Sequence, residues 1–200
     1  MHSPFRYSLF LLILFSSCKL IHTRLILGIK NPKIESYRSI NSFLDKQNLD
    51  KLHSFVLSDS IYIGLITNHQ KYFATYEVYD ASMKKLILVD SLKKECYGSI
   101  TKELVYLEKG SWKEDTAGPV KLQNLLKELK STSNSIIPSI ADKNYNIVFY
   151  WSKFMGKYTK SILQIAKEIE DNPNYNIMFI NMDINDQMSS DLQDLNMNIK

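Results

Sequence analysis

The sequence predicts an α/β domain, on three observations. Tyr145-Asn-Ile-Val-Phe-Tyr-Trp151 and Asn176-Ile-Met-Phe-Ile-Asn-Met182 are near-continuous apolar runs, the composition of strands covered on both faces of a parallel sheet. Between them Tyr158, Ile162, Ile165, Ala166 and Ile169 mark one stripe of a helix, stopped by Asn172-Pro173. Strand, helix and strand over roughly forty residues make a right-handed βαβ unit with parallel strands. Third, Tyr72-Phe-Ala-Thr-Tyr-Glu-Val-Tyr79 faces Leu86-Ile-Leu-Val89 across Asp80–Lys85, a β-branched and aromatic pattern with a short polar connection that reads as a hairpin.

The chain begins with a short basic stretch, Met1–Arg6, and an apolar run, Tyr7–Phe15, too short to span a bilayer as a helix. That run has the size of a signal-peptide apolar region, and it ends in Phe15-Ser16-Ser17-Cys18, small residues followed by a cysteine. Residues 1–17 resemble a bacterial lipoprotein signal with its lipobox, although Phe15 stands where that family usually has Leu. The resemblance implies that Cys18 is acylated and becomes the first residue of the mature chain. The protein would then be held on a membrane outside the cytoplasm, facing the periplasm or exterior, by several acyl chains, more than the roughly two signals that stable anchoring takes. A cleaved secretory signal and an uncleaved anchor are the competing readings.

Residues 18–33 follow as a lipid-attached tether, or as a first strand through Leu25-Ile-Leu-Gly-Ile29, with Asn31-Pro32 as punctuation. Ile34, Tyr37, Ile40, Phe43 and Leu44 recur at helical steps and predict an amphipathic helix ending near Asn48. Ser54–Thr67 is β-rich and predicts a strand followed by a turn or short helix. After the hairpin, Ser99–Leu107 reads as a helix, Gly110–Gly118 as a loop, and Pro119 opens a helix through Leu122, Leu125, Leu126 and Leu129. Ser131-Thr-Ser-Asn-Ser135 is the expected linker between a hairpin-and-helix half, residues 34–130, and a βαβ half, residues 136–200.

Composition excludes several classes. With 200 residues, 44% hydrophobic and 23% charged, the chain is long enough for a core and too apolar for disorder; two cysteines exclude a disulfide scaffold. The formal charge is +4, yet of 25 basic residues only Arg6, Arg24 and Arg38 are arginine. A nucleic-acid site built on Arg's planar fork is therefore not expected. His2, His22, His53 and His69 are scattered, which leaves no zinc set, and no glycine-rich phosphate loop or nucleophile elbow occurs. Neither a metal nor a cofactor is expected. Asp183-Ile-Asn-Asp186 lacks the spacing of a calcium loop and reads as a polar strand end. Lys84, Lys85, Lys93 and Lys94, near Tyr97, read as a solvated hairpin face or as a patch for anionic lipid. Cys96 reads as a thiolate favoured by the following helix's dipole or as a small buried hydrophobe.

The segment Phe149-Tyr-Trp151-Ser-Lys-Phe154-Met155-Gly156-Lys157-Tyr158 resembles the opening pattern of the thioredoxin-like family, especially its extracytoplasmic, membrane-tethered branch. The resemblance covers residues 145–183. Tyr150-Trp151 match the aromatic strand end, Phe154 the tryptophan before the redox motif, and Gly156 its glycine. Met155 and Tyr158 stand where that family carries its cysteine pair, and Lys157 where it carries proline. Thiol–disulfide exchange needs an attacking thiolate and a resolving thiol, and neither a thioether nor a phenol does either job. No catalytic residue is therefore assigned. The family's cis proline before its hairpin also has no counterpart between Pro32 and Pro119. In that family the hairpin follows the βαβ unit, whereas here it precedes it. The resemblance thus implies the two halves in permuted order, in one mixed sheet of about four or five strands with helices on both faces.

The expected function is a redox-inactive binding or scaffolding lipoprotein. Phe154, Met155, Gly156 and Tyr158 would be its contact patch for a protein partner of unknown identity. The alternatives are a thiol-dependent oxidoreductase using Cys96 with a partner thiol, and a secreted structural or immunity-type protein.

Overall fold

The computed structural model describes residues 26–49, 54–68, 73–88, 107, 109–110, 112–115, 122–132 and 143–198. In chain order its elements are helix α1 (Tyr37–Asp45), strand β1 (Ser54–Leu57), α2 (Asp59–Asn68), β2 (Ala74–Asp80), β3 (Lys85–Leu88), β4 (Trp112–Glu114), α3 (Leu122–Lys127), β5 (Leu129–Ser131), β6 (Tyr145–Trp151), α4 (Lys157–Ile169), β7 (Tyr175–Asn181) and α5 (Ser190–Asn198). A single 3-10 turn, Lys153–Met155, joins β6 to α4.

The seven strands form one mixed sheet in the order β4-β3-β2-β6-β7-β1-β5. β6 and β7 are parallel and pair from Tyr145↔Tyr175 to Trp151↔Asn181, as the two apolar runs require. β2 lies antiparallel against the other side of β6, from Ala74↔Trp151 to Asp80↔Tyr145, so the hairpin and the βαβ unit share a sheet. β1 adds parallel to β7.

Alternation along the central strands divides the core into two layers. Ile147, Phe149 and Trp151 of β6 and Ile177 and Phe179 of β7 pack with Ile40 and Leu44 of α1 and Ile162 and Ala166 of α4. Trp151 stacks on Phe43 at 5.3 Å, and Phe149 on Phe179 at 6.0 Å. On the opposite face Val148, Tyr150, Met178 and Ile180 meet Tyr62 and Leu65 of α2, Leu122 and Leu125 of α3, and Leu192 of α5. Each fully buried side chain of this size contributes roughly 1.5–3 kcal/mol, so both layers are needed to hold the central pair.

The sheet has more strands than the four or five expected. The additions at its two edges are three residues each: β4, inside a stretch read as loop, and β5, which takes Leu129 from the expected helix and Ser131 from the expected linker. Neither carries an alternating apolar pattern, because each pairs through its backbone at an edge and buries little. α1 begins at Tyr37, not Ile34: Ser36 caps it by accepting the Ser39 N–H at 3.2 Å, and Ile34 stays 40% exposed. α5 lies beyond Asp183, where the sequence predicts no further element; Met188 and Leu192 tie it to the core. The expected helix at 99–107 lies outside the described residues except for Leu107, which is buried in the α1–α4 layer.

Register is pinned by two buried asparagines side by side on β6 and β7. Asn176 Nδ2 donates to Asn146 Oδ1 at 2.9 Å, and Asn146 Nδ2 donates to the Asp80 carbonyl at 3.2 Å. A one-residue slip of β7 would turn the Asn176 amide into the opposite apolar layer and break its bond to Asn146. Asn146→Ala strands the buried Asn176 donor and is expected to cost about 1–3 kcal/mol in urea denaturation. The double variant with Asn176→Ala should cost less than the sum of the two singles, because the second change removes the stranded group.

Candidate functional site

The C-terminal ends of β6 and β7 carry the polar chemistry of this fold, the place where open sheets with parallel strands gather their sites. Two buried carboxyls organise it around one residue, Lys153. The Lys153 backbone N–H donates to Asp183 Oδ2 at 2.8 Å and Oδ1 at 3.1 Å, and Asn181 Nδ2 donates to Oδ2 at 2.8 Å. The Asp183 N–H returns a bond to Asn181 Oδ1 at 3.1 Å. This holds the turn after β6 against the end of β7. The Lys153 side chain reaches Glu35 Oε2 at 2.5 Å and Ser39 Oγ at 2.6 Å, and the Ser39 hydroxyl donates to the same Glu35 oxygen at 2.6 Å.

Burial alone would raise the Glu35 carboxyl, but the hydrogen bonds from Lys153 and Ser39, with the charges of Lys153 and Lys33, hold it below its ordinary value. Asp183 goes the other way. Burial raises it from 3.8 to about 6, with the charge of Glu35 adding to the rise, against the hydrogen bonds from Lys153 and Asn181 and the Lys153 charge. The buried Tyr62 phenol, which donates to the Met182 carbonyl at 3.3 Å, is raised by burial and by the Asp183 charge. At 2% exposed, Asp183 acts on the turn and not on a bound molecule. Trp151 Nε1, Ser152 Oγ and Asn185 Nδ2, buried at these same strand ends, lack hydrogen-bond partners among the described residues.

The N-terminal segment closes over the turn. The Lys157 N–H donates to the Leu27 carbonyl at 2.8 Å, and the Lys30 N–H donates to the Phe154 carbonyl at 2.8 Å. The Glu35 N–H donates to Ile184, and Glu35 accepts from Asp186, which stitches the segment to the chain leaving β7. The described end of the tether, from Ile26 onward, is therefore a strap lying on the domain. Gly156 makes this possible. Its φ is +58°, and a Cβ there would collide with the backbone of Leu27 and Gly28.

The structure brings Phe154, Met155, Gly156 and Tyr158 together at this turn, each partly buried. Met155 and Tyr158 pack against the α1–α4 layer, and Phe154 meets Phe73 edge-on at 5.2 Å. Cys18 and Cys96 lie outside the described residues, as do Lys93, Lys94 and Tyr97. Lys84 pairs with Glu114 at 2.9 Å, and Lys85 with the buried Glu77 at 2.5 Å and Asp115 at 3.8 Å, so these two lysines have acidic partners. Asp183 and Asp186 do not converge: the first is buried under the turn and the second is exposed. Among the described residues no group of three or more His, Cys, Asp or Glu is arranged to hold a metal ion, and no helix is long and apolar enough to cross a membrane.

Glu35, Ser39, Lys153 and Asn181 were not foreseen as a site. Glu35 and Lys153 are 118 residues apart, and no spacing rule connects them. No family model, curated protein or solved structure matches the chain.

Gly156→Ala is expected to lift the strap, with loss of two backbone hydrogen bonds at about 1 kcal/mol each plus the strain of a positive φ. Limited trypsinolysis should then cut after Lys30 and Lys33 several-fold faster than in the wild type. For Asp183 the folded state binds the proton more tightly than the unfolded chain. Its contribution is present below pH 4 and is lost as pH rises to about 6, on the order of 3 kcal/mol. Asp183→Asn should flatten that part of the stability–pH curve; an unchanged slope between the two proteins would remove Asp183 from this role.

Proposed function

We propose that the chain is a redox-inactive, thioredoxin-like binding or scaffolding protein, held on a membrane by lipid on Cys18 and facing the periplasm or exterior. The observation that carries the reading is the pair Met155 and Tyr158, at the end of the turn and in the first turn of α4, in the positions that the resemblance gives to a cysteine couple. Without two thiols there, exchange chemistry at the start of α4 has neither attacker nor resolver.

Strand order supports the same reading. Reading across the sheet, β3-β2-β6-β7 places an antiparallel hairpin beside a parallel βαβ pair, the arrangement implied for a permuted thioredoxin-like domain. β1, β4 and β5 extend it at both sides. The contact patch is then Phe154, Met155 and Tyr158, an aromatic and thioether surface next to Phe73. A methionine there suits a binding role, because its unbranched side chain adapts to a partner.

Two measurements test the two halves of the proposal. Radiolabelled palmitate should enter the wild type and be absent from Cys18→Ala; retained label would overturn the lipid anchor. Crosslinking in native membranes should capture a protein partner, and Phe154→Ala with Met155→Ala should reduce that capture at least several-fold while palmitate labelling persists. Undiminished capture would overturn the patch.

A further inference from the structure

We propose that the face around the docked strap, marked by Ile26, Lys30, Lys33, Ile34, Lys157 and Lys160, lies flat against an anionic lipid bilayer. The inference rests on acylation of Cys18, and it adds which side of the domain meets the lipid.

Tether length is the first argument. Cys18 and Ile26 are eight residues apart, a reach of at most roughly 28 Å when fully extended. The domain does not start swinging at residue 34, because Leu27 is already fixed to Lys157 and Lys30 to Phe154. Lipid on Cys18 therefore pulls on the crossing of strap and turn, and this crossing is the part of the domain drawn closest to the membrane.

Chemistry is the second. Among the described residues the exposed large hydrophobics are Ile26, Ile34 and Ile63, and two of these three flank the strap, at 50% and 40% exposed. Lys30, Lys33, Lys157 and Lys160 are exposed on the strap and the first turn of α4. The acids here do not cancel them. Glu35 is buried and engaged by Lys153 at 2.5 Å, with Lys33 at 3.6 Å, and Asp186 is the exposed acid joined to this segment. Isolated apolar side chains that enter the headgroup boundary, beside lysines that face anionic lipid, form a surface that acts together with an acyl anchor.

The experiment uses the mature protein in vesicles of phosphatidylcholine alone or mixed with phosphatidylglycerol, and in detergent. An amine-acetylating reagent reports lysine accessibility by mass spectrometry, and the same spectra report the acyl mass on Cys18. Lys30, Lys33, Lys157 and Lys160 should react roughly five-fold or more slowly on the anionic vesicles than in detergent, less so on phosphatidylcholine alone. Lys113 and Lys130, exposed on the edge strands β4 and β5, should react equally in all three. Charge reversal by Lys30→Glu with Lys157→Glu should restore the reactivity of Lys33 and Lys160 without changing the acyl mass. Acylated protein with uniform labelling overturns the proposed face and leaves the lipid anchor standing. A chain without the acyl mass whose four lysines are still protected overturns the anchor and keeps the face. A chain with neither overturns both.

Discussion

The parallel pairing of β6 with β7 is the constraint from which the rest of the architecture follows. Both strands are buried on both faces along nearly their whole length, so neither is stable until two separate layers cover them. α1 and α4 supply one layer, and α2, α3 and α5 the other. The parallel direction also dictates the crossover helix, and the crossover brings the start of α4, the turn before it and the chain leaving β7 to one end of the sheet. The polar cluster at Lys153 is thus a by-product of topology. A parallel pair must turn at its C-terminal ends, and the backbone donors exposed by that turn need acceptors, which Asp183 provides.

Lys153 serves two masters with two different groups. Its N–H satisfies Asp183 and its ammonium satisfies Glu35, so a single residue joins the end of β7 to the N-terminal segment. The two carboxyls shift in opposite directions. Glu35 meets a full positive charge and a hydroxyl and stays ionised more readily than usual. Asp183 meets chiefly a backbone N–H and an amide, dipoles too weak to offset desolvation, and it holds its proton more tightly. The difference is one of partner charge and of depth, since desolvation weighs more heavily on the deeper Asp183 and the Glu35 charge adds to its rise.

Legibility in the sequence followed how much of each element's stability is local. β6, α4, β7 and the β2–β3 hairpin were readable because their burial is written in runs and periods: Tyr145–Trp151 appears in the structure with the same limits. The helix stripe Ile162, Ile165, Ala166 and Ile169 is buried as read. β4 and β5 were not readable, because an edge strand of three residues is defined by the neighbour it borrows bonds from. α5 carries no long apolar run, and among the described side chains Met188 and Leu192, in the connection and first turn, tie it to the core. Phe154, Met155, Gly156 and Tyr158 meet at one turn, which their order along one segment makes plain in the sequence. Glu35 was not legible, since an isolated glutamate before an amphipathic helix looks like any solvated residue until the lysine that buries it is known. The motif pattern gives no reason for Gly156 beyond its place in the motif, whereas the structure gives one, the strap backbone pressed against it.

The crossing of Gly28 over Gly156 also determines how the molecule carries mechanical load. A pull applied through the N-terminus is not delivered to an edge strand, where bonds would open one after another. It enters through the Leu27, Lys30 and Glu35 hydrogen bonds, spread along the strap, and passes into the ends of β6 and β7, the most deeply buried strands of the sheet. Attachment through the first residues, as in the proposed lipid anchor, would therefore load the two most deeply buried strands of the sheet.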